Sequence, residues 1–150
     1  MSIRKALYTA TATANGGHRD RVVTTDDQLI SLPVSSPGGL GGDSSKVNAE
    51  QLFALGYAAC FHDAVGYFTK KAGHDMSGLS VEVRNEVGYR KEGSGFGFDV
   101  QIDVHLPNVP ADQVATILRE AEHTCPFSNS IRGNAQVTVK SNGEVLSFDD

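Results

Sequence analysis

The chain has 150 residues, a formal charge of −5 and two cysteines. That length suits one domain able to bury roughly two thirds of its unfolded surface, and an ordinary apolar content argues against disorder. The acidic balance argues against wholesale binding to nucleic acid or anionic membrane, no apolar run reaches the length of a membrane span, and two cysteines are too few for a disulfide scaffold. Met1 to Asn15 lacks the basic-then-apolar layout of a secretion signal, so the expected compartment is the reducing cytoplasm.

Leu7 to Ala14 alternates in side-chain character and predicts a strand, closed by Asn15-Gly16-Gly17. Arg21 to Thr25 and Gln28 to Leu32 are short strand candidates around Asp26-Asp27. Pro33 to Lys46, rich in proline, glycine and serine, predicts a loop. A long helix is expected to start at Asn48, whose side chain caps, with Gln51 completing a variant capping box. Lys70 and Lys71 suit its negative end and Gly73 the residue after it, which makes about six turns. Apolar or small residues cover almost every side between Leu52 and Phe61, so burial on most faces is expected, either at the centre of a domain or within a dimer. Leu79 to Tyr89 and Phe96 to Leu106 alternate well and predict a hairpin across Glu92-Gly93-Ser94-Gly95. Pro110 opens a second helix with Val114, Ile117, Leu118 and Ala121 along one stripe, ending near Thr124. Ala135 to Lys140 and Glu144 to Phe148 flank the turn signal Ser141-Asn142-Gly143. The sum is a single α+β domain, 1–150, with antiparallel sheet packed on a long central helix.

Cys60 falls mid-way along the most apolar helical stretch, a rigid address. Cys125 falls at a helix-to-loop break before Pro126, on backbone pushed out of the helical region, where it can swing. A fixed attacking thiol and a mobile partner are what a dithiol enzyme needs, although an inert buried Cys60 is the plain alternative. A reactive thiol must be a thiolate, and Cys60 is far from its own helix start, so a cation must come from elsewhere in the fold. Arg19, beside the Gly16-Gly17 turn, is a candidate, against its ordinary reading as a solvated arginine. Metal binding by Cys60, His62, His123 and Cys125 is disfavoured: residues two apart on a helix point about 200° apart, and the spacings miss the usual zinc patterns. The glycine-rich run Gly38 to Gly42 lacks the lysine and serine of a phosphate loop.

Two stretches carry a family resemblance. Asn48 to Phe61, with Glu50-Gln51-Leu52-Phe53-Ala54 and Gly56-Tyr57-Ala58-Ala59-Cys60-Phe61, resembles the first cysteine motif of the organic hydroperoxide resistance proteins, within the superfamily of osmotically inducible protein C. Cys125-Pro126-Phe127-Ser128-Asn129 and Arg132-Gly133-Asn134 resemble the second, and the similarity covers nearly the whole chain. It implies a thiol-dependent peroxidase acting on organic, fatty-acid-type hydroperoxides. Cys60 would be the peroxidatic cysteine, Cys125 the resolving cysteine that forms a disulfide with it, and Arg19 and Glu50 the supporting charges. It also implies an intertwined homodimer with sites at the subunit interface, reduction by lipoylated proteins, and a scheme with no metal or flavin. A non-catalytic dithiol redox sensor or binding module is the alternative from another class; no DNA-reading helix or basic stripe supports it.

This chain departs from the family pattern in three places. Ala49 stands where proline is usual, and Phe127 replaces the commoner tyrosine. The turn reads Gly16-Gly17-His18-Arg19-Asp20, whereas arginine usually follows the glycines directly. The need for a permanent cation favours Arg19 over His18, since arginine keeps its charge at any pH a protein meets and histidine as a residue type does not. Phe53, Tyr57 and Phe61 are candidate walls of an apolar pocket, or simply core. On one straight helix Glu50 and Cys60 lie roughly 15 Å apart in rise, further than one guanidinium spans. If Arg19 bridges them, a site completed across a dimer interface is expected.

Overall fold

The computed structural model describes residues 2–148 and divides into two compact units, Met1–Leu52 and Phe53–Asp150. In the first, β1 (Ala12–Asn15), β2 (Val22–Thr25) and β3 (Ser31–Pro33) form an antiparallel sheet in chain order. Gly16 makes the β1–β2 turn possible. Its φ is +98°, and a Cβ there would lie 2.5 Å from the carbonyl oxygen of Asp20. The Gly17 N–H donates to Asp20 Oδ1 at 2.7 Å and tightens the turn. The expected strand from Leu7 is shorter than its pattern: among the described residues Leu7 to Ala10 pair with no strand, the Thr11 carbonyl accepts only from the Asp26 N–H at 3.0 Å, and Leu7 and Tyr8 are exposed. Alternation identifies a stretch able to pair, but pairing needs an edge to meet.

Helix α1 (Ala49–Lys71) starts as the sequence predicts. The Asn48 side chain accepts from the Gln51 N–H at 2.8 Å, and Gln51 Oε1 accepts from the Asn48 N–H at 3.1 Å. It ends with the His74 N–H donating to the Thr69 carbonyl and the Gly73 N–H to that of Lys70, closing the last carbonyls.

In the second unit β4 (Ser80–Tyr89) and β5 (Phe96–His105) make the expected hairpin, and β6 (Gln136–Ser141) and β7 (Glu144–Val145) complete a four-stranded sheet in chain order. The sheet is mixed, which corrects the expectation of purely antiparallel sheets. β6 runs parallel to β5, with Val100 opposite Val137 and Ile102 opposite Val139. A parallel return needs a crossover long enough to span the sheet. Helices α2 (Ala111–Thr124) and α3 (Pro126–Ile131) provide it. Val114, Ile117, Leu118 and Ala121 of α2 are all buried, as their spacing requires, and join Tyr57, Phe61 and Val65 of α1 and Val100, Ile102 and Val104 of β5 in one core.

Between Leu52 and Phe61 the helix is buried or part-buried on most faces, as expected, and exposes one stripe. Leu55 is 65% exposed and Tyr67 60%, both on the stripe of Gln51, Leu55, Ala59, Asp63 and Tyr67 at four-residue spacing. Among the described residues no helix is long and apolar enough to cross a membrane.

Candidate active site

The two thiols meet. Cys125 Sγ lies 3.4 Å from Cys60 Sγ, both are free, Cys125 is buried and Cys60 part-buried. The arrangement follows from local sequence. At Cys125 the backbone leaves α2 with ψ of 120°, the extended conformation that Pro126 imposes on the residue before it. Pro126 then takes the first position of α3, where its missing N–H costs nothing. Cys125 is therefore not on a swinging loop. It caps one short helix immediately after another and is 1% exposed.

The remaining residues of the second motif hold this kink. Arg132 donates to the Glu122 carbonyl at 3.0 Å and to Glu122 Oε1 at 2.7 Å, and also bonds Asn129. Asn129 Nδ2 donates to the His123 carbonyl at 2.9 Å. Two otherwise unpaired carbonyls at the end of α2 are thus satisfied from α3 and the residue that follows it.

Residues of the first motif receive α3. Gly56 leaves room for Phe127: a Cβ at 56 would lie 3.1 Å from the Phe127 ring carbon Cζ. The Tyr57 and Phe127 rings pack at 5.4 Å, and Tyr57 Oη and Ser128 Oγ are hydrogen-bonded at 2.7 Å. Phe53 joins them, 6.0 Å from Phe127 and 5.0 Å from Phe98. Tyr57 and Phe61 are fully buried core, whereas Phe53 and Phe127 are part-buried, and the Phe127 N–H faces the Cys60 thiol. The sequence reading missed Gly56, Ser128 and the Phe127 amide as site-building groups. The available signal was Pro126, which marks a helix start as readily as a break.

The surroundings of Cys60 do not favour its thiolate. Its pKa is pushed up to about 11, by burial first, then by the contact with Cys125 and by Asp63; the Phe127 N–H alone pulls the other way. A protonated Cys125 donating its S–H would favour the Cys60 anion, so the direction rests on burial, the largest influence. No cation is among these groups, so the charge the sequence reading requires is not supplied by them.

Arg19 is exposed in the β1–β2 turn; its carbonyl accepts from Lys46 Nζ at 2.6 Å, and its guanidinium has no partner among the described residues. His18 is exposed beside it. Glu50 lies in the first turn of α1, inside the helix, so the helix does not begin after it. Its Oε2 is buried without a hydrogen-bond partner among the described residues, a state that native proteins rarely leave uncompensated. His74 is hydrogen-bonded to Gln113 at a helix end, and among the described residues no group of three or more His, Cys, Asp or Glu could hold a metal ion.

Residues 41–140 match the family described as OsmC-like protein. The chain belongs to that family. Its relatives include the organic hydroperoxide resistance protein of Xanthomonas axonopodis pv. citri, 40% identical over 143 residues that cover 92% of this chain and 96% of that one. Organic hydroperoxide resistance protein OhrB of Bacillus subtilis is 31% identical, covering 90% and 98%. The crystal structure of an organic hydroperoxide resistance protein from Elizabethkingia anophelis superposes with a TM-score of 0.86 at 36% identity, covering 91% and 97%.

Proposed function

We propose that this chain is a two-cysteine thiol peroxidase that reduces organic, fatty-acid-type hydroperoxides to alcohols in the cytoplasm as part of an oxidative-stress response. The observation that carries the reading is the 3.4 Å approach of its only two cysteines, in a relative of organic hydroperoxide resistance proteins. The Cys60 thiolate attacks the distal oxygen of the hydroperoxide. The O–O bond breaks, the alkoxide takes a proton and leaves as alcohol, and Cys60 becomes a sulfenic acid. Cys125 then attacks the Cys60 sulfur, and water leaves as the disulfide forms. A lipoylated protein or another external dithiol reduces the bridge.

In this proposal Arg19 supplies the missing cation, favouring the thiolate and then the departing oxygen, and Glu50 orients the guanidinium through a bidentate pair. Glu50 and Cys60 sit on one helix about 15 Å apart in rise, so a single guanidinium touching both calls for a second copy of the chain. The unpartnered Glu50 oxygen and the exposed Leu55 stripe support a homodimer whose site is completed across the interface.

The test is turnover of cumene hydroperoxide with reduced lipoamide. The peroxidase consumes many equivalents per chain, Cys60→Ser consumes none, and Cys125→Ser completes the first reduction and then stalls or over-oxidises. Consumption of a single equivalent by the parent protein would instead establish the dithiol sensor.

A further inference from the structure

The thiol pair has a neighbour built on the same spacing. Tyr57 stands three residues before Cys60 on α1, and Ser128 stands three residues after Cys125 at the start of α3. Positions three apart in a helix share a face, so the hydroxyl contact at 2.7 Å and the thiol contact at 3.4 Å are adjacent rungs between the same two segments. Both hydroxyls are buried, Tyr57 at 0% exposure and Ser128 at 1%. We propose that the Tyr57–Ser128 hydroxyl pair is a positioning device for the resolving thiol: it fixes the register of α3 on α1 and thereby holds Cys125 against Cys60.

The packing of Phe127 against Tyr57 and Gly56 sets how close α3 comes, but ring contacts tolerate sliding. A hydrogen bond to serine does not, because the Oγ is one rotatable bond from the backbone and its partner phenol is fixed in the core. A shift of α3 by one residue would break both rungs together. From 3.4 Å the sulfurs need a further approach of about 1.4 Å to bond, small enough for side-chain rotation with the register kept. Held so, Cys125 meets the Cys60 sulfenic acid before a second peroxide does: the sulfenic S–O bond breaks, the S–S bond forms, and the hydroxyl leaves with the thiol proton as water. Tyr57 and Ser128 touch neither peroxide nor leaving group in this scheme. They act through Cys125.

This inference rests on the two-cysteine reading, and its test is divided accordingly. Tyr57→Phe, Ser128→Ala and the double variant are compared with the parent protein; the double variant leaves no buried hydroxyl unpaired and so keeps a folded control in hand. First, the Cys60–Cys125 disulfide is equilibrated in glutathione buffers of graded ratio, without peroxide. Second, the ratio of Cys60 sulfinic acid to disulfide is read by intact-protein mass spectrometry after cumene hydroperoxide. Loss of the register bond should lower the disulfide equilibrium constant by about fivefold to tenfold and raise the sulfinic ratio by a similar factor. General loss of stability moves neither ratio. An unchanged equilibrium constant and ratio in all three variants, with only the melting temperature lowered, would overturn the proposal. If the two-cysteine reading itself fails, peroxide yields neither disulfide nor sulfinic acid at Cys60 in the parent, while the glutathione equilibrium still reports on the positioning.

Discussion

Replacing Arg19 by alanine should leave Cys60 with only the environment described above, in which its pKa is about 11. A guanidinium about 4 Å from the sulfur is worth about 4 kcal/mol at an effective dielectric of about 20, close to a thousandfold in the ionisation constant. Cys60 is part-exposed, so this is the upper end of the range. Near neutral pH the ionised fraction of Cys60 would then fall by up to several hundredfold when the arginine is removed. The peroxide reaction should slow in the same proportion, since the thiolate is the nucleophile. Ultraviolet thiolate absorbance, titrated on a Cys125→Ser background so that one thiol is observed, measures the constant directly. His18→Ala, run in parallel, should leave it unchanged. If the arginine variant titrates with its parent, Arg19 is not the cation; if the histidine variant alone shifts, the turn has been read one residue out of register.

Gly56→Ala should destabilise the protein and weaken disulfide formation, because Phe127 must yield to the new methyl group; alanine is otherwise the better helix former by about 1 kcal/mol, so a rise in melting temperature would remove the close-approach explanation. Asn85, on the core-facing side of β4 with Val83 and Val87, has both side-chain polar atoms buried and unpartnered among the described residues. Asn85→Val should therefore stabilise by about 1–3 kcal/mol in urea unfolding, and a comparable loss would mean that the amide has a partner in the assembled protein. Tyr57, raised to about 12 by burial, keeps its proton when folded at pH values where the unfolded chain has lost it. Its stabilising contribution is complete below pH 10 and is lost as pH rises through about 12. Tyr57→Phe should flatten that part of the stability curve, and an identical alkaline slope would contradict the burial argument.

Elements with local signals were legible. The Asn48–Gln51 box, the Lys70-Lys71-Gly73 ending and the β4–β5 hairpin each depend on residues close in sequence, and each is found where the pattern puts it. The direction of β6 was not legible, because a strand alternates with period two whether its neighbour runs parallel or antiparallel. The same limit applied to Leu7 to Ala10, where a pattern fit for pairing meets no edge among the described residues. At the site, the meeting of Cys60 and Cys125 depends on contact between segments 65 residues apart, which no periodicity encodes; only the family resemblance anticipated it. Cys125 was expected to swing because Pro126 was read as a helix stop alone. The proline also starts a helix, and its first turn buries the thiol.

The parallel pairing of β5 with β6 has a consequence for the newly made chain. Cys125 lies in the crossover between those strands, with α2 and α3 joining the end of β5 to the start of β6. Closing a parallel crossover is among the slower events of folding, because long-range pairing must follow loop closure. Until it happens Cys60 and Cys125 belong to separate parts of an open polymer, with no special claim on one another. The dithiol is therefore expected to mature late, and a thiol-crosslinking time course during refolding, compared with the recovery of native fluorescence, tests that order.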